Sequence, residues 1–194
     1  MLAVRVARSR DLLAAHPDAG ALLSAHERRR LAALRRQTDR DDFVAARVLV
    51  RMLLVEVVPD VPTDAGADGP LGSVRIWQEC ATCGGPHGAP HTEGAFLSWA
   101  HSSGVVAAAV SGRPVGVDIE PLDAAIPALA GRLRDVAEWV RLEAIVKTGR
   151  IDLDGALALP RAELAGVTVT DWTDRATGVA VAVASVGGYR RPVS

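Results

Sequence analysis

A chain of 194 residues with 49% hydrophobic content has enough material for one domain or two small lobes around a sizeable core, and its composition is that of a globular protein. The formal net charge of -1 argues neither for nor against a nucleic-acid partner, and no apolar run reaches the ~18 residues needed to span a membrane. The N-terminus carries Arg5, Arg8 and Arg10 without a long apolar segment, so no signal peptide is expected and the cytoplasm is the simplest compartment.

Leu2 to Ala7 reads as a first strand. Ser24 and Glu27 have the spacing of a capping box, which opens a helix to about Arg36. Arg28, Arg29, Arg30, Arg35 and Arg36 crowd this segment, as a solvated helix face or as a phosphate-binding patch. Thr38 is placed to cap a second helix through Val58. Its inward stripe is Phe43, Ala46, Val50, Leu53, Leu54 and Val57, with Arg47 and Arg51 four apart beside it. Pro59 to Gly72 is rich in Pro, Gly and Asp and reads as a loop, and Ser73 to Gln78 as a short strand.

Cys80, Cys83, His87 and His91 fall within twelve residues. Side chains of these types can hold zinc, yet the spacing is tighter than in a zinc finger, and the intervening Gly and Pro suit a plain loop. A Cys80–Cys83 disulfide is not expected in the cytoplasm.

Phe96 to His101, Val105 to Val110 and Val115 to Ile119 predict three strands joined by short turns, an antiparallel meander. A helix is expected from about Pro127 to Thr148, stopped by Gly149. Gly166 to Trp172 and Thr177 to Val186 predict a hairpin around Thr173 to Ala176, followed by a frayed tail. No exact repeat is visible, but each half offers a helix and a hairpin, which permits a duplicated architecture.

The chemistry concentrates in Gly112 to Pro121, GRPVGVDIEP. On a strand, Val115, Val117 and Ile119 face one way and Gly116, Asp118 and Glu120 the other. Two acids on one strand face repel, so water, a basic group or a hard cation must lie over them. Gly116 would let a ligand approach the backbone. The plain alternative is an edge strand with a solvated acidic face. The meander would bring His101 near this strand. On the following helix Trp139, Glu143 and Lys147 share one face at four-residue intervals, as a surface Glu–Lys pair or as a third carboxylate and a cation beside the two acids. Of the 22 basic residues, 21 are Arg and Lys147 is the one Lys. An ammonium kept in so Arg-biased a chain points to a place where a compact charge is needed. Three carboxylates suit Mg²⁺, which characteristically bridges to substrate phosphates, and they do not suit a His-rich zinc hydrolase. No Gly-rich phosphate loop of the Walker type is present.

The ordered segments CGGPHGAP (83–90), AHSSG (100–104), PVGVDIE (114–120) and WVRLEAIVKTG (139–149), with DDFVAARVLVR (41–51) as weaker support, resemble the Sfp-type 4′-phosphopantetheinyl transferases, in their actinobacterial style. The resemblance covers most of the chain. It implies an α+β fold of two similar α/β lobes related by a pseudo-twofold axis, residues 1–111 and 112–194, and a monomer with the cleft inside one chain. It implies Mg²⁺-dependent transfer of 4′-phosphopantetheine from coenzyme A to a serine of an acyl or peptidyl carrier protein. Carried over by position, Asp118, Glu120 and Glu143 would hold Mg²⁺. Glu143 would also help deprotonate the carrier serine, and Lys147 would contact the pyrophosphate. His101 and Ser102 would lie at the coenzyme A phosphates, and Arg30 near the 3′-phosphate. Three positions depart from the family pattern. Ala89 stands where a basic residue is usual, Ala100 where Ser is usual, and Leu142 where Lys is usual. The 18 residues between Glu120 and Trp139 are fewer than is usual. These departures motivate the alternative of a degenerate homologue that binds coenzyme A or a partner protein without catalysis.

Overall fold

The computed structural model describes residues 1–58, 69–72, 74–80, 83–86, 88–126, 133–158 and 166–187. Strand β1 (Leu2–Arg8) leads into α1 (Ser9–Ala15), α2 (Ala25–Ala33) and the long α3 (Gln37–Val57). After the single turn α4 (Gly69–Gly72) come β2 (Trp77–Gln78), β3 (Pro90–His91), β4 (Phe96–Ser102), β5 (Val105–Ser111) and β6 (Val115–Pro121). Helices α5 (Val136–Lys147) and α6 (Leu153–Ala158) precede β7 (Val167–Asp174) and β8 (Val179–Val186). The protein is a mixed α+β fold with two antiparallel sheets, ordered β1-β5-β4-β3-β2 and β6-β8-β7.

The sheets stack through an apolar layer. Ala100 of β4 and Val105, Ala107 and Ala109 of β5 meet Val115, Val117 and Ile119 of β6 and Val179, Val181 and Val183 of β8. On the outer side of the first sheet, α3 packs Ala46, Leu49, Val50, Leu53 and Leu54 against Leu97, Val106, Ala108 and Val110. On the outer side of the second, α5 packs Val136, Val140 and Ala144 against Ala180, Ala182 and Ala184. Every residue of β5 is buried, because α3 covers one face and the second sheet the other, which is why this strand is a near-continuous apolar run.

Several expectations hold in detail. The capping box closes α2: the Glu27 amide donates to Ser24 Oγ (3.2 Å) and the Ser24 amide to Glu27 Oε2 (2.9 Å). The β4–β5 hairpin turns through Ser103 (φ 52°) and Gly104 (φ 82°), the two positive values of a tight hairpin loop matched to strand twist. Gly149 (φ 74°) ends the α5 segment.

Others are corrected. Helix α2 stops at Ala33, and α3 starts from Arg36 as N-cap with no side-chain cap, so Thr38 lies inside the helix. Helix α5 begins at Val136, where Asp135 accepts from the Glu138 amide (2.9 Å); residues 127–132 lie outside the described residues. So do most of the expected Pro59–Gly72 loop, Ser73, His87 and residues 188–194. The meander breaks after β5. Strand β6 pairs with β8, from Val115↔Ser185 to Pro121↔Val179, and not with β5. Its outer edge is covered by side chains: Ser98 Oγ accepts from the Val117 amide (3.1 Å), and Lys147 Nζ donates to the Val117 carbonyl (3.2 Å).

Gly116 serves the helix rather than a ligand. A Cβ there would fall on the Ala144 carbonyl oxygen and within 2.9 Å of Lys147 Cβ. The missing side chain is what lets α5 lie close over β6. Gly116→Ala is therefore expected to destabilise the protein by about 1–3 kcal/mol through overpacking, read as a lower urea midpoint with unchanged slope.

Candidate functional site

Strand β6 carries Gly116, Asp118 and Glu120 on the face turned toward α5, and α5 approaches close enough over Gly116 to set Lys147 directly on Asp118. Lys147 Nζ donates to Asp118 Oδ1 at 2.6 Å. Asp118 is only 6% exposed, and its Oδ2 is buried without a hydrogen-bond partner. The solvated acidic face is thus excluded for Asp118, although β6 is an edge strand.

Burial pushes the Asp118 carboxyl up to about 6; the Lys147 ammonium opposes this, and the charges of Glu143 and Glu120 add to it. Glu143 on α5 therefore lies within electrostatic reach of the strand acids and not on the far side of the molecule. Glu120 is half-buried and accepts from Ser102 Oγ at 2.7 Å, which joins the β4 end of the first sheet to the β6 end of the second.

The sign of the pH effect follows from that raised value. The folded protein holds the Asp118 proton more tightly than the unfolded chain does. Its stabilising contribution is full below about pH 4 and is lost as pH rises through about 6. Metal-free protein titrated in chelator between pH 4.5 and 6.5 is expected to lose this contribution, and Asp118→Asn to flatten that part of the profile.

His101 is the last residue but one of β4, on the α3 side of the first sheet. The residue is exposed as a whole, so desolvation of its ring is partial; even so burial is the leading cause that holds the imidazole below the ordinary histidine range. The charges acting on it are those of Asp42, Arg47, Lys147 and Asp39. Arg30 is not brought to the acids: its Nη1 meets Gln78 Oε1 at 3.3 Å, and its guanidinium lies 5.7 Å from the Phe43 ring centre.

Two of the three positions singled out in the resemblance are packed in the core. Ala100 is buried between the sheets, where a hydroxyl would need a partner, and Leu142 is buried on α5. Ala89 is exposed.

One positioning residue has no clear signal in the sequence beyond the Asp41–Asp42 pair. Asp42 is buried on α3, accepts from Ser9 Oγ, and accepts the Gly104 amide at 3.0 Å. It pins the β4–β5 turn, and with it His101 and Ser102, to α3.

Among the described residues, no three His, Cys, Asp or Glu side chains are gathered closely enough to hold a metal ion as they stand. At the acids, Lys147 takes a cation's place on Oδ1. The chemistry of the donors is nevertheless that of a hard-cation site: Asp118 offers a buried, unpartnered carboxylate oxygen and feels the charges of two more carboxylates, Glu143 and Glu120. For the cysteine segment, His87 lies outside the described residues, and His91 stacks on Trp77 with ring centres 6.1 Å apart. No helix among the described residues is long and apolar enough to cross a membrane. No protein-family model and no curated protein matches this chain.

Proposed function

We propose that the protein is a Mg²⁺-dependent 4′-phosphopantetheinyl transferase, loading a serine of an acyl or peptidyl carrier protein from coenzyme A. The observation that carries this is Asp118, with one buried oxygen unpartnered, the other on the chain's one Lys, and Glu120 and Glu143 in electrostatic reach.

The two-lobe architecture is part of the proposal. Strand order supports it: β1, α3 and the β4–β5 hairpin give β1-β5-β4, and β6, α5 and the β7–β8 hairpin give β6-β8-β7. Residues 1–111 and 112–194 would then be copies of one plan, with the cleft along the β4 and β6 ends where Ser102 meets Glu120. A cleft within one chain needs no partner copy, so the protein works as a monomer, in the cytoplasm.

Asp118, Glu120 and Glu143 would hold Mg²⁺, which when bound neutralises charge on the coenzyme A diphosphate. Lys147 contacts the same diphosphate, and His101 and Ser102 lie toward the phosphates. Arg30, beside Phe43 and away from the acids, is left for the more distant 3′-phosphate. Glu143 accepts the carrier-serine proton, directly or through water. The serine oxygen forms a bond to the phosphorus that carries pantetheine, the bond from that phosphorus to the bridging oxygen breaks, and adenosine 3′,5′-bisphosphate leaves.

The buried Ala100 and Leu142 favour a second reading, a homologue that binds coenzyme A or a partner protein without transfer. Calorimetry with coenzyme A and Mg²⁺, run beside a carrier-loading assay, separates the two. Binding with loading is expected; binding without loading on any carrier tested selects the second reading, and neither binding nor loading removes both.

A further inference from the structure

Resting on the proposed metal site, we propose that Lys147 is a built-in competitor of the metal, an ammonium that occupies Asp118 until a diphosphate draws it off. Its Nζ makes two bonds, to Asp118 Oδ1 at 2.6 Å and to the Val117 carbonyl at 3.2 Å. Both acceptors belong to β6, so the side chain lies along the strand edge where the cation ligands are. Asp118 Oδ2 has no partner and is buried, so the carboxylate has one oxygen engaged by the ammonium and one waiting. A metal ion using this carboxylate brings two positive charges against an ammonium already within hydrogen-bond distance, and the two cations repel.

Lys147 can leave. Its side chain keeps 30% of its surface exposed, and Lys reaches across four methylenes to a new anion without moving the helix. A diphosphate supplies such an anion, and gains the ammonium in the same movement that opens Asp118. Metal and diphosphate are then coupled: each raises the protein's affinity for the other, through one side chain with two alternative partners. Metal alone binds weakly, and the metal–diphosphate pair binds well. This selects a diphosphate ester delivered with its cation over either partner alone.

The experiment measures Mn²⁺ binding by electron paramagnetic resonance, with and without coenzyme A. The proteins are the unaltered chain, Lys147→Met, Lys147→Ala as a second variant, and Arg141→Met. Arg141 is a cation of the same helix that pairs with Asp171 and not with Asp118. With Mn²⁺ alone, both Lys147 variants are expected to bind about tenfold or more tightly than the unaltered protein, the size of one charge-assisted bond removed, and Arg141→Met to change little. Coenzyme A is expected to tighten Mn²⁺ binding more in the unaltered protein than in the Lys147 variants. Equal Mn²⁺ affinity with and without Lys147, in proteins that do bind it, overturns the competition while leaving the metal site standing. A gain as large in Arg141→Met reduces the effect to general charge and also overturns it. If no variant binds Mn²⁺ with or without coenzyme A, the metal site itself falls, and the competition with it.

Discussion

Glu27→Ala is expected to be strongly destabilising, costing about 3–5 kcal/mol, the cost of stranding buried charge by removing its partner. Arg47 and Arg51 are 2% and 4% exposed, one helical turn apart on α3. Glu27 Oε1 takes the Arg47 Nε at 3.1 Å, and Oε2 lies 4.0 Å from Arg51 Nη2. The same carboxylate accepts the Ser24 amide in the capping box of α2, so its loss also strands that amide, while Ser24 Oγ still caps the helix. What remains for Arg47 is the Phe43 carbonyl at 3.0 Å, the Phe43 ring, 3.4 Å from the guanidinium carbon, and the Trp99 ring at 5.0 Å. Arg51 already carries an unpartnered buried Nε. Against a total stability of about 5–15 kcal/mol typical of native proteins, such a loss is a large fraction. Urea unfolding followed by circular dichroism measures it, with Glu27→Gln recovering part of the loss through the retained acceptor for the Ser24 amide. A loss under about 1 kcal/mol would mean that the two arginines find water.

Asp118→Asn is expected to behave in the opposite way, abolishing loading while sparing the fold. If Asp118 is a cation ligand, its loss costs at least the ~100-fold at the upper end for residues that only support ligands. Stability is expected to stay within about 1 kcal/mol of the unaltered protein at pH 7. Asn no longer buries a carboxylate whose ionisation is opposed by its surroundings, and this offsets the lost Lys147 bond, whose Lys can turn to solvent. Single-turnover loading of a carrier protein, beside thermal unfolding of the same sample, reads both. Full loading by the variant, or loss of its fold, contradicts this assignment.

Local rules were legible where they are local. Ser24 with Glu27 marked the start of α2, the Ser102-Ser103-Gly104 run marked the β4–β5 turn to within one residue, and Gly149 marked the end of α5. The alternation in β6 correctly split its apolar and acidic faces. What alternation does not contain is the identity of a strand's neighbour. Nothing in the residues around Pro114 says that β6 abandons β5 for β8, because both pairings leave Val115, Val117 and Ile119 facing an apolar layer. Gly116 was read as room for a ligand and is room for a helix; a missing side chain does not say what approaches. Arg47 and Arg51 were placed beside the apolar stripe of α3, and their burial depends on Glu27, twenty residues away from Arg47 on another helix. Of the candidate site, the register of Asp118 and Glu120 and the helical spacing of Glu143 and Lys147 were in the sequence. That Lys147 would bond to Asp118 could emerge only once α5 was laid on β6.

The account rests on Asp118, Glu120 and Glu143 closing on one cation that faces the diphosphate of coenzyme A. Anomalous diffraction from crystals grown with Mn²⁺ and coenzyme A locates that cation directly. The predicted result is a single Mn²⁺ peak within coordination distance of oxygens of the three carboxylates and of the diphosphate, with Lys147 moved from Asp118 onto phosphate. A Mn²⁺ peak elsewhere, or coenzyme A bound while Lys147 still holds Asp118, would contradict it.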